Sequence, residues 1–432
     1  MRIVCVGGGP AGLYFAISAK LRHPEDEITV LERNPPGATY GWGVVYWDNL
    51  LDVFFRTDPR SAQAIRASSA LWQEQRISLG SPRVAYLTGY GFSIERAELL
   101  RVLAGRAAEL GVRVAYRQQV DDLAPYAGAD LIVVADGANS RIRQDAGDLF
   151  GTTVARGSNP YLWLGTSRFS DSFTFAFEPT PAGWIWCHAY PSNAGLSTFI
   201  VECTEPTWQG LGFDTRGEEE TLRNLERIFA GTLDGHALVS QAPATNSGRA
   251  LEQTSGPARW QRFVDVTNQR WYHDNVVLIG DAAHTTHFTL GSGTALAIVD
   301  AAMLARILDE HAGDVPAALH AFDAGGRRAL RPLQAAARTS MAWFEQADRY
   351  LDQEDVVSFA YAMAGRHGRQ PPWRQPMHRA TQIPAIRHAL RGLNATTRWA
   401  LARRRGEPTT ARPDAALPTA QEQPAAVGRQ GR

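Results

Sequence analysis

The segment Gly7-Gly8-Gly9-Pro10-Ala11-Gly12 decides the fold, because it has the G-x-G-x-x-G pattern of a turn between a strand and a helix. The apolar residues before it, Arg2 to Val6, predict a strand, and Ala11 to Leu21 predict a helix. A second strand is predicted from Glu27 to Leu31, which completes a β-α-β unit. Strands joined in this way run parallel, so we expect an α/β fold with a Rossmann-like parallel sheet.

The glycines of this turn fit the binding of a dinucleotide pyrophosphate. Gly7 permits the tight turn, Gly9 lets the backbone approach the phosphates, and Gly12 lets the helix and strand pack closely. The helix that follows presents unpaired N–H groups and the positive end of its dipole. Glu32 ends the second strand, where an acid suits a ribose hydroxyl. The turn alone does not distinguish FAD from NAD.

Two further acids follow predicted strands. Asp136 and Gly137 come directly after the apolar run Asp130 to Ala135, and Asp281 comes two residues after the run Asn275 to Ile279. In an α/β sheet, ligands bind outside the carboxyl ends of the strands. We therefore expect both carboxylates at the same ligand-binding edge as the glycine turn.

The middle of the chain predicts an inserted, mainly antiparallel sheet, and the end predicts helices. Short alternating segments lie within 161–203 and are separated by turn residues, whereas residues 40–90 are expected to be irregular. The last residues have almost no large apolar side chains and are expected to be disordered. The predicted ranges are 1–157 with 270–340 for the dinucleotide-binding domain, 158–269 for a substrate domain, 341–400 for C-terminal helices and 401–432 for a disordered tail.

The composition excludes several classes of function. Lys plus Arg and Asp plus Glu both number 44, so a zero net charge gives no indication of nucleic-acid binding. No run of 18 apolar residues is present, so we expect no membrane span. Three cysteines without a C-x-x-C pair favour a reducing, cytoplasmic location. His284 and His287 have no evident third ligand, so we expect no metal site.

These three segments, in this order, resemble those of the class A flavoprotein aromatic hydroxylases over residues 1–395. The resemblance implies bound FAD, NADH or NADPH as a transient co-substrate, and hydroxylation of an electron-rich aromatic ring with O2. It implies that Asp281 bonds the ribityl chain, and that the helix after Gly291-Ser292-Gly293 points its N-terminus at the flavin. Asp136, Gly137 and Arg143 would support FAD and nicotinamide. The other candidate FAD-binding residues are Gly7, Gly9, Gly12, Glu32, Arg33, Gly43, Val44 and Arg96.

One departure from the family pattern indicates a narrower branch. Thr286-His287-Phe288-Thr289-Leu290 stands where most of the family has a proline, and Gly41-Trp42-Gly43-Val44-Val45 also resembles that branch. It contains salicyloyl-CoA and anthraniloyl-CoA hydroxylases and a tryptophan hydroxylase of violacein biosynthesis. The resemblance implies an activated benzoate thioester, for example 5-hydroxylation of salicyloyl-CoA. The alternatives are tryptophan, an indole or a carrier-bound aromatic acid, a flavin-dependent reductase without oxygenation, and a redox-inert FAD-binding scaffold.

The candidate catalytic residues are Trp42, Trp186, His188 and His287. Trp186 and His188 would share one face of a strand, and the face would line the substrate pocket. Plain core packing is the alternative for each tryptophan, and a hydrogen-bonded core position is the alternative for His188. A CoA ester would also need an arginine-lined channel, for which the candidates are Arg56, Arg60, Arg66, Arg83 and Arg156. We expect a monomer or a homodimer.

Overall fold

The computed structural model describes residues 1–39, 41–80, 82–192, 195–240, 259–351, 355–368, 371 and 373–407. Its strands are β1 (Arg2–Val6), β2 (Glu27–Glu32), β3 (Gly43–Tyr46), β4 (Ala70–Leu79), β5 (Val84–Glu95), β6 (Arg113–Tyr116), β7 (Leu131–Val134), β8 (Thr152–Thr166), β9 (Phe173–Thr180), β10 (Gly183–Pro191), β11 (Ser197–Cys203), β12 (Leu238–Val239), β13 (Gln261–Asn268), β14 (Tyr272–His273) and β15 (Val276–Leu278). Its helices are α1 (Pro10–Arg22), α2 (Asp48–Thr57), α3 (Pro59–Ala67), α4 (Arg96–Glu109), α5 (Arg141–Asp145), α6 (Glu205–Gly210), α7 (Glu218–Ile228), α8 (Ala230–Leu233), α9 (Gly293–Glu310), α10 (Val315–Glu345), α11 (Asp348–Leu351), α12 (Val356–Ala364), α13 (Arg374–Ala380) and α14 (Pro384–Arg405).

The first sheet has the strand order β14-β15-β7-β1-β2-β6. Every pair in it is parallel except β14 with β15, so the predicted parallel sheet is confirmed. Its central strands are covered on both faces, and Cys5, Val30 and Val133 are fully buried. This burial explains why these strands read as continuous apolar runs.

Helix α1 lies against this sheet between α4 and α9. Its residues from Pro10 to Ala19 are all buried, because neighbouring elements cover it on every side. The N-terminus of α1 has no side-chain cap, so its first N–H groups face the glycine turn. The fold thus presents a helix start at the carboxyl end of the central strand.

The second sheet has nine strands in the described residues, in the order β12-β8-β11-β10-β9-β4-β5-β3, with β13 also paired to β8. Its pairs are antiparallel except β4 with β9. One face of β10 packs Trp186 against Phe344 and Phe359 of the C-terminal helices. The other face packs Cys187 and Ala189 against the region of α7 and α8, which confirms the predicted alternation.

The expectation that residues 40–90 are irregular is wrong. This segment contains β3, α2, α3, β4 and most of β5. The pairing of β4 with β5 shifts register between Trp72 and Glu74, where β5 has one extra residue between Gly91 and Thr88, so the alternation along β5 changes phase. A single extra residue of this kind hides a strand from a search for strict alternation.

The nine-stranded sheet also crosses the predicted domain boundaries. Three of its strands come from residues 43–95, which those boundaries place with the dinucleotide-binding domain, and β8 begins at Thr152. The ranges themselves stay a prediction. Helix α14 continues to Arg405, so the first residues of the expected disordered tail are helical, and residues 408–432 lie outside the described residues. No helix in the described part of the chain is long and apolar enough to cross a membrane.

The packing of Trp42 on β8 gives a test of this fold. A Cβ atom at Gly165 would overlap the Trp42 ring, whereas a Cβ at Gly105 of α4 would meet open space. We expect Gly165→Ala to destabilise the protein by about 1–3 kcal/mol, because overpacking forces the ring to move. The control Gly105→Ala should be neutral or stabilising by up to about 1 kcal/mol. Equal melting temperatures for the two variants would contradict this packing.

Candidate active site

A cavity of about 730 Å³ lies at the carboxyl ends of the central strands of the parallel sheet. Its wall includes most of the predicted cofactor-binding residues, namely Gly7, Gly9, Glu32, Arg33, Arg96, Asp136, Gly137, Asp281 and Gly293. Gly12, Gly43, Val44, Gly291 and Ser292 lie outside this wall. The structure therefore brings together residues that are separated by more than 200 positions in the chain.

The glycine turn has the shape that a pyrophosphate requires. Gly7 has a φ of +108°, and a Cβ there would overlap the Ala135 carbonyl. Gly9 has nothing within 4 Å of the position where a Cβ would lie, so the backbone is open to a ligand. Gly12 packs closely on the Gly7 carbonyl, as predicted for a residue that joins helix and strand. The turn and the free start of α1 thus fit a dinucleotide phosphate.

Three hydrogen bonds hold Glu32 at the edge of this cavity. Its carboxylate accepts from the Gly8 N–H at 2.7 Å and from the Asn34 N–H and side-chain amide at 2.8 and 2.7 Å. These bonds fix the acid at the end of β2, beside the glycine turn. The carboxylate is therefore preorganised for a further donor such as a ribose hydroxyl.

Arg96 and Asp281 form the part of the wall nearest to β3. Burial lowers the pKa of Arg96, and the charge of Asp281 opposes that effect. Burial raises the pKa of Asp281, although the charges of Arg96 and His284 act in the opposite direction. The Arg96 N–H donates to the Trp42 carbonyl at 2.8 Å, so α4 and the chain before β3 are joined here.

Asp136 carries an acceptor that the described residues leave unsatisfied. The Arg141 N–H donates to its Oδ2 at 3.1 Å, whereas its Oδ1 is buried and has no partner among the described residues. Burial raises the pKa of this carboxyl. An unpaired buried acceptor in the cavity wall suits a hydroxyl group of a bound cofactor.

Arg143 lies behind this wall, where we expected it to support the cofactor. It is buried and donates to the Ala138 carbonyl at 2.6 Å and to the Ala282 carbonyl at 2.9 Å. It therefore joins the loop of Asp136 to the loop of Asp281 and acts on a ligand only through them. The sequence shows that an arginine follows Asp136, but not which way it points.

His284 stabilises the loop that carries Asp281. Its Nε2 lies 2.7 Å from the Asp300 carboxylate, which also accepts from the Gly280 N–H at 3.0 Å. Burial lowers the pKa of His284, but the interactions with Asp300 outweigh burial and the net pKa is raised. Among the described residues no group of three or more His, Cys, Asp or Glu could hold a metal ion.

A second polar cluster lies in the antiparallel sheet and contains two predicted residues. The Glu202 carboxylate accepts from the Trp186 indole at 3.1 Å and from the Asn159 amide at 2.9 Å, and lies 3.3 Å from His188 Nε2. The register explains this grouping, because Trp186 pairs with Glu202 across β10 and β11. All four side chains are buried.

His287 lies on the other side of Glu202, on the loop before Gly291. Its Nδ1 is 2.8 Å from Thr289 Oγ1, which is 2.9 Å from Ser340 Oγ of α10. Burial lowers the pKa of His287 to about 4, although Glu202 acts in the opposite direction. Burial also lowers the pKa of His188, against Glu202. Both imidazoles are therefore neutral at pH 7.

The two candidate tryptophans have different surroundings. Trp186 packs with Phe177 and Phe344 in an apolar core, so its ring is a packing element and only its N–H reaches the polar cluster. Trp42 packs on Gly165 of β8, and its backbone carbonyl bonds Arg96. The structure thus brings His188 and His287 to one cluster and leaves Trp42 nearer the cavity.

Sequence reasoning missed two buried charges of this region. Glu202 follows three apolar residues in β11, and an acid inside such a buried run is the signal that could have identified it. Arg366 stacks on the rings of Phe175 and Phe344 and donates to the Thr289 carbonyl at 3.4 Å. Burial lowers the pKa of Arg366 to about 10. Nothing local in the sequence around Arg366 indicates this position.

An aromatic cluster joins the cavity region to the polar cluster. It is formed by Val45, Trp47, Tyr161, Trp163, Phe173, Tyr190, Ile200 and Phe288. A Cβ at Gly291 would approach Val45 and Trp47 within 2.8–2.9 Å, so the glycine turn before α9 packs directly on this cluster. Burial raises the pKa of Tyr161 to about 12, with Asp281 and Glu202 both adding to the rise. Tyr161 therefore lies between the two sites.

Comparison with known proteins identifies a family for this geometry. Residues 87–324 match the model of the FAD binding domain family. The chain is 36% identical over 371 residues to a salicyloyl-CoA 5-hydroxylase of Streptomyces, covering 84% of this chain and 69% of that protein. It is 35% identical to a 3-hydroxy-4-methyl-anthranilyl-[aryl-carrier protein] 5-monooxygenase of Streptosporangium sibiricum, covering 80% and 89%. It is 29% identical to a protodeoxyviolaceinate monooxygenase of Chromobacterium violaceum, covering 86% and 96%.

Solved structures of flavin-dependent oxygenases have the same fold. A 2-methyl-3-hydroxypyridine-5-carboxylic acid oxygenase superposes with a TM-score of 0.62 at 20% identity, covering 85% of this chain and 93% of that one. A p-nitrophenol 4-monooxygenase of Pseudomonas putida superposes with a TM-score of 0.63 at 17% identity, covering 90% and 96%. At such identities the likeness concerns the fold alone.

The carboxylate of Asp281 in the cavity wall gives a binding test. A hydrogen bond to a charged acceptor contributes about 1.5–3 kcal/mol, so Asp281→Asn should weaken FAD binding roughly ten- to hundredfold. Asp214→Asn, in an exposed loop before α7, is the matched control and should bind FAD as the wild type does. Titration of the apoprotein with FAD measures both affinities. Unchanged affinity in Asp281→Asn would remove this residue from the FAD site.

The low pKa of His287 predicts a pH dependence of stability. Between pH 7 and pH 5 the unfolded chain takes up a proton at this residue while the folded protein does not, so acidification lowers the free energy of unfolding. For a folded pKa of about 4 this loss is about 2 kcal/mol. We expect the melting temperature of His287→Gln to fall less over this range than that of the wild type. The control His273→Gln, at a ring that is partly exposed, should behave as the wild type. An equal fall of the melting temperature in all three proteins would refute the low pKa of His287.

Proposed function

The chain belongs to the FAD-dependent aromatic monooxygenases, and from this premise we propose that its substrate is an aromatic acid held as a thioester. The specific proposal is hydroxylation of an activated benzoate, such as salicyloyl-CoA at its 5 position or anthraniloyl-CoA. NADH or NADPH and O2 would be consumed. One oxygen atom would be added to the ring for each molecule of product.

The observation that carries the aromatic part of this proposal is the cluster beside Gly291. Aromatic side chains from β8, β9 and β10 and from the loop at Phe288 pack together there, with Tyr161 4.7 Å from Phe288 and Phe173 5.2 Å from Tyr190 between ring centres. Such surfaces bind flat rings by edge and face contacts. They also exclude water, which protects a reaction with oxygen from side reactions.

The thioester part of the proposal rests on the relatives. Two of those with more than 30% identity have names that include a CoA thioester or an aryl-carrier protein. Both names describe oxygenation at a 5 position of a ring whose carboxyl group is joined to a carrier. Because identities of 35–36% are compatible with a change of substrate, the substrate is part of our proposal.

The residues of the cavity fit FAD, and each has a proposed role in holding it. Gly7, Gly9 and the start of α1 would hold the pyrophosphate, and Glu32 would bind the ribose. Asp281 would accept from the ribityl chain, and Asp136 has a free acceptor for a further hydroxyl. When bound, FAD supplies the acceptance of hydride from the nicotinamide and the activation of O2.

The polar cluster would handle the proton of the substrate. A hydroxyl on the ring becomes more electron-rich when it loses its proton, which favours attack by an electrophilic oxygen. The neutral imidazole of His287 or His188 can accept that proton, and the ionised Glu202 stabilises the imidazolium that forms. Glu202 is ionised at neutral pH. Burial raises its pKa, but the interactions with its partners outweigh burial, so the net pKa is lowered.

A second candidate substrate is an indole or a carrier-bound aromatic acid. The resemblance to the protodeoxyviolaceinate monooxygenase favours an indole, and the resemblance to the aryl-carrier protein monooxygenase favours a protein-bound substrate. A flavin-dependent reductase without oxygenation is the remaining alternative that we weighed against these. A cytoplasmic location and a monomeric or homodimeric state also stay proposals.

Oxidation of NADH and NADPH by the FAD-loaded protein tests the proposal. The substrates to compare are salicyloyl-CoA, anthraniloyl-CoA, the two free acids and tryptophan, with the product mass recorded for each. We expect the mass of one oxygen atom to be added to a thioester, with at least tenfold lower kcat/KM for the free acid. Turnover of tryptophan or of a free acid alone would refute the thioester assignment. Oxidation of NADH or NADPH with no oxygen added to any of the aromatic compounds would instead favour a reductase.

A further inference from the structure

The arginines that we expected to line a CoA channel are spread over four parts of the chain. Arg56 lies in α2, Arg60 and Arg66 in α3, Arg83 between β4 and β5, and Arg156 in β8. Arg60 pairs with Glu109, and the Arg66 guanidinium stacks over the Phe92 ring at 4.7 Å. A different pair of arginines, Arg76 and Arg168, lines one small cavity of about 130 Å³.

Strand register places this cavity on the face of the nine-stranded sheet that carries Ala189. Arg76 pairs with Thr174, and Thr174 pairs with Ala189, so the row crosses β4, β9 and β10. Ser197 and Thr166 form the next pair on the same side. Ala189 belongs to the core beneath α7 and α8, which is the face opposite to His188. The cavity therefore lies on the face opposite to the polar cluster, and of the aromatic cluster Tyr190 alone also borders it among the described residues.

The charged side chains in the described wall of this cavity are both positive. Its wall has no Asp or Glu among the described residues. Arg76 is half-buried and has neither a hydrogen bond nor an ion pair within the part of the chain that the structure describes. Arg168 donates to the Thr232 carbonyl at 3.4 Å, and the carboxylate of Asp234, which is 73% exposed, lies 3.7 Å from its guanidinium. Two guanidinium groups that face one space repel each other unless an anion lies between them.

Hydroxyl groups complete the wall. Ser197 is buried, and its Oγ has no hydrogen-bond partner in the described residues. Thr174 is also buried, and Ser170 lies on the connection between β8 and β9. Thr166 Oγ1 accepts from the Arg168 N–H at 3.2 Å and donates to the Ala237 carbonyl at 2.9 Å, which fixes the position of Arg168. A cavity with guanidinium and hydroxyl donors and no acid has the donor set for a phosphate.

We propose that this cavity binds a phosphate monoester, and that the phosphate is the 3′-phosphate of the CoA that carries the substrate. The choice of carrier rests on the proposed function, whereas the phosphate site does not. Phe173 and Thr174 are adjacent in β9, so their side chains point to opposite faces of the sheet. Phe173 belongs to the aromatic cluster and Thr174 to the phosphate cavity. In this proposal a CoA ester with its ring at the cluster would pass around the Phe173 end of β9 to place its phosphate in the cavity.

Binding of inorganic phosphate to the FAD-loaded protein tests the site without any turnover. Isothermal titration should show saturable binding to the wild type and a roughly ten- to hundredfold weaker affinity in Arg76→Met, because a charged hydrogen bond is lost. Arg113→Met removes an exposed arginine of β6, in the other sheet, and is the matched control, with wild-type affinity expected. Absence of saturable phosphate binding to the wild type, or equal binding by Arg76→Met, would overturn the site. If Arg76→Met does not fold, Arg168→Met, which removes the other guanidinium of the wall, replaces it.

Kinetics distinguish the source of the phosphate. With the aryl thioester of dephospho-CoA, KM should rise at least tenfold in the wild type and change little in Arg76→Met. The ratio of KM for NADPH to KM for NADH should be the same in both proteins. A changed ratio in Arg76→Met would assign the phosphate to NADPH and refute the carrier assignment. The wild type could bind phosphate, and Arg76→Met could lose that binding, while the protein hydroxylates no CoA ester. These results together would refute the proposed function but would support the phosphate site.

Discussion

The parallel register of β1, β7 and β15 is the constraint on which the rest of the structure depends. Cys5 pairs with Val133, and Val133 pairs with Val277, so three strands that are far apart in the chain end at one edge. The loops after these strands carry the glycine turn, Asp136 and Asp281. Arg143 then joins the two acidic loops through their carbonyl groups, which fixes the distance between the carboxylates without contributing a charge to the cavity.

A shared core and several short contacts connect this edge to the second sheet, since Val44 and Ile94 belong to the same core cluster as Cys5. The Arg96 N–H bonds the Trp42 carbonyl, and the Tyr190 hydroxyl donates to the Gly43 carbonyl at 2.8 Å. Gly291 packs against Val45 where a larger residue would collide. Close approach of side chains to the backbone at these glycines joins the aromatic cluster to the segment that leads into α9, whose Gly293 lies in the cavity wall. The two parts of the site are therefore connected although they belong to different sheets.

Burial of Glu202 is the costly feature of the second sheet, since an ionised carboxylate is stable in a protein interior only when donors surround it. Trp186, Asn159 and His188 provide those partners from neighbouring strands. Helix α10 closes the cluster through Phe344, which packs on Trp186 and His188. The ionised Glu202 is thus a fixed negative charge beside the neutral His188 and His287. Such a charge stabilises a histidine that accepts a proton.

The sequence by itself determined the elements whose signals are local. The glycine turn, the apolar strands of the parallel sheet, the alternation along β10 and the acids after β7 and β15 depend only on neighbouring residues, so their places could be predicted together with the cofactor class. Residues 40–90 could not, because an extra residue in β5, opposite Trp72 and Glu74, breaks the alternation that reveals a strand. Only the tertiary structure decided that Glu202 meets His188, that Arg143 points away from the cavity, and that Arg76 and Arg168 face one space. Each of these depends on the register between strands or loops distant in the chain, and hydrophobic periodicity within one segment contains no information about that register.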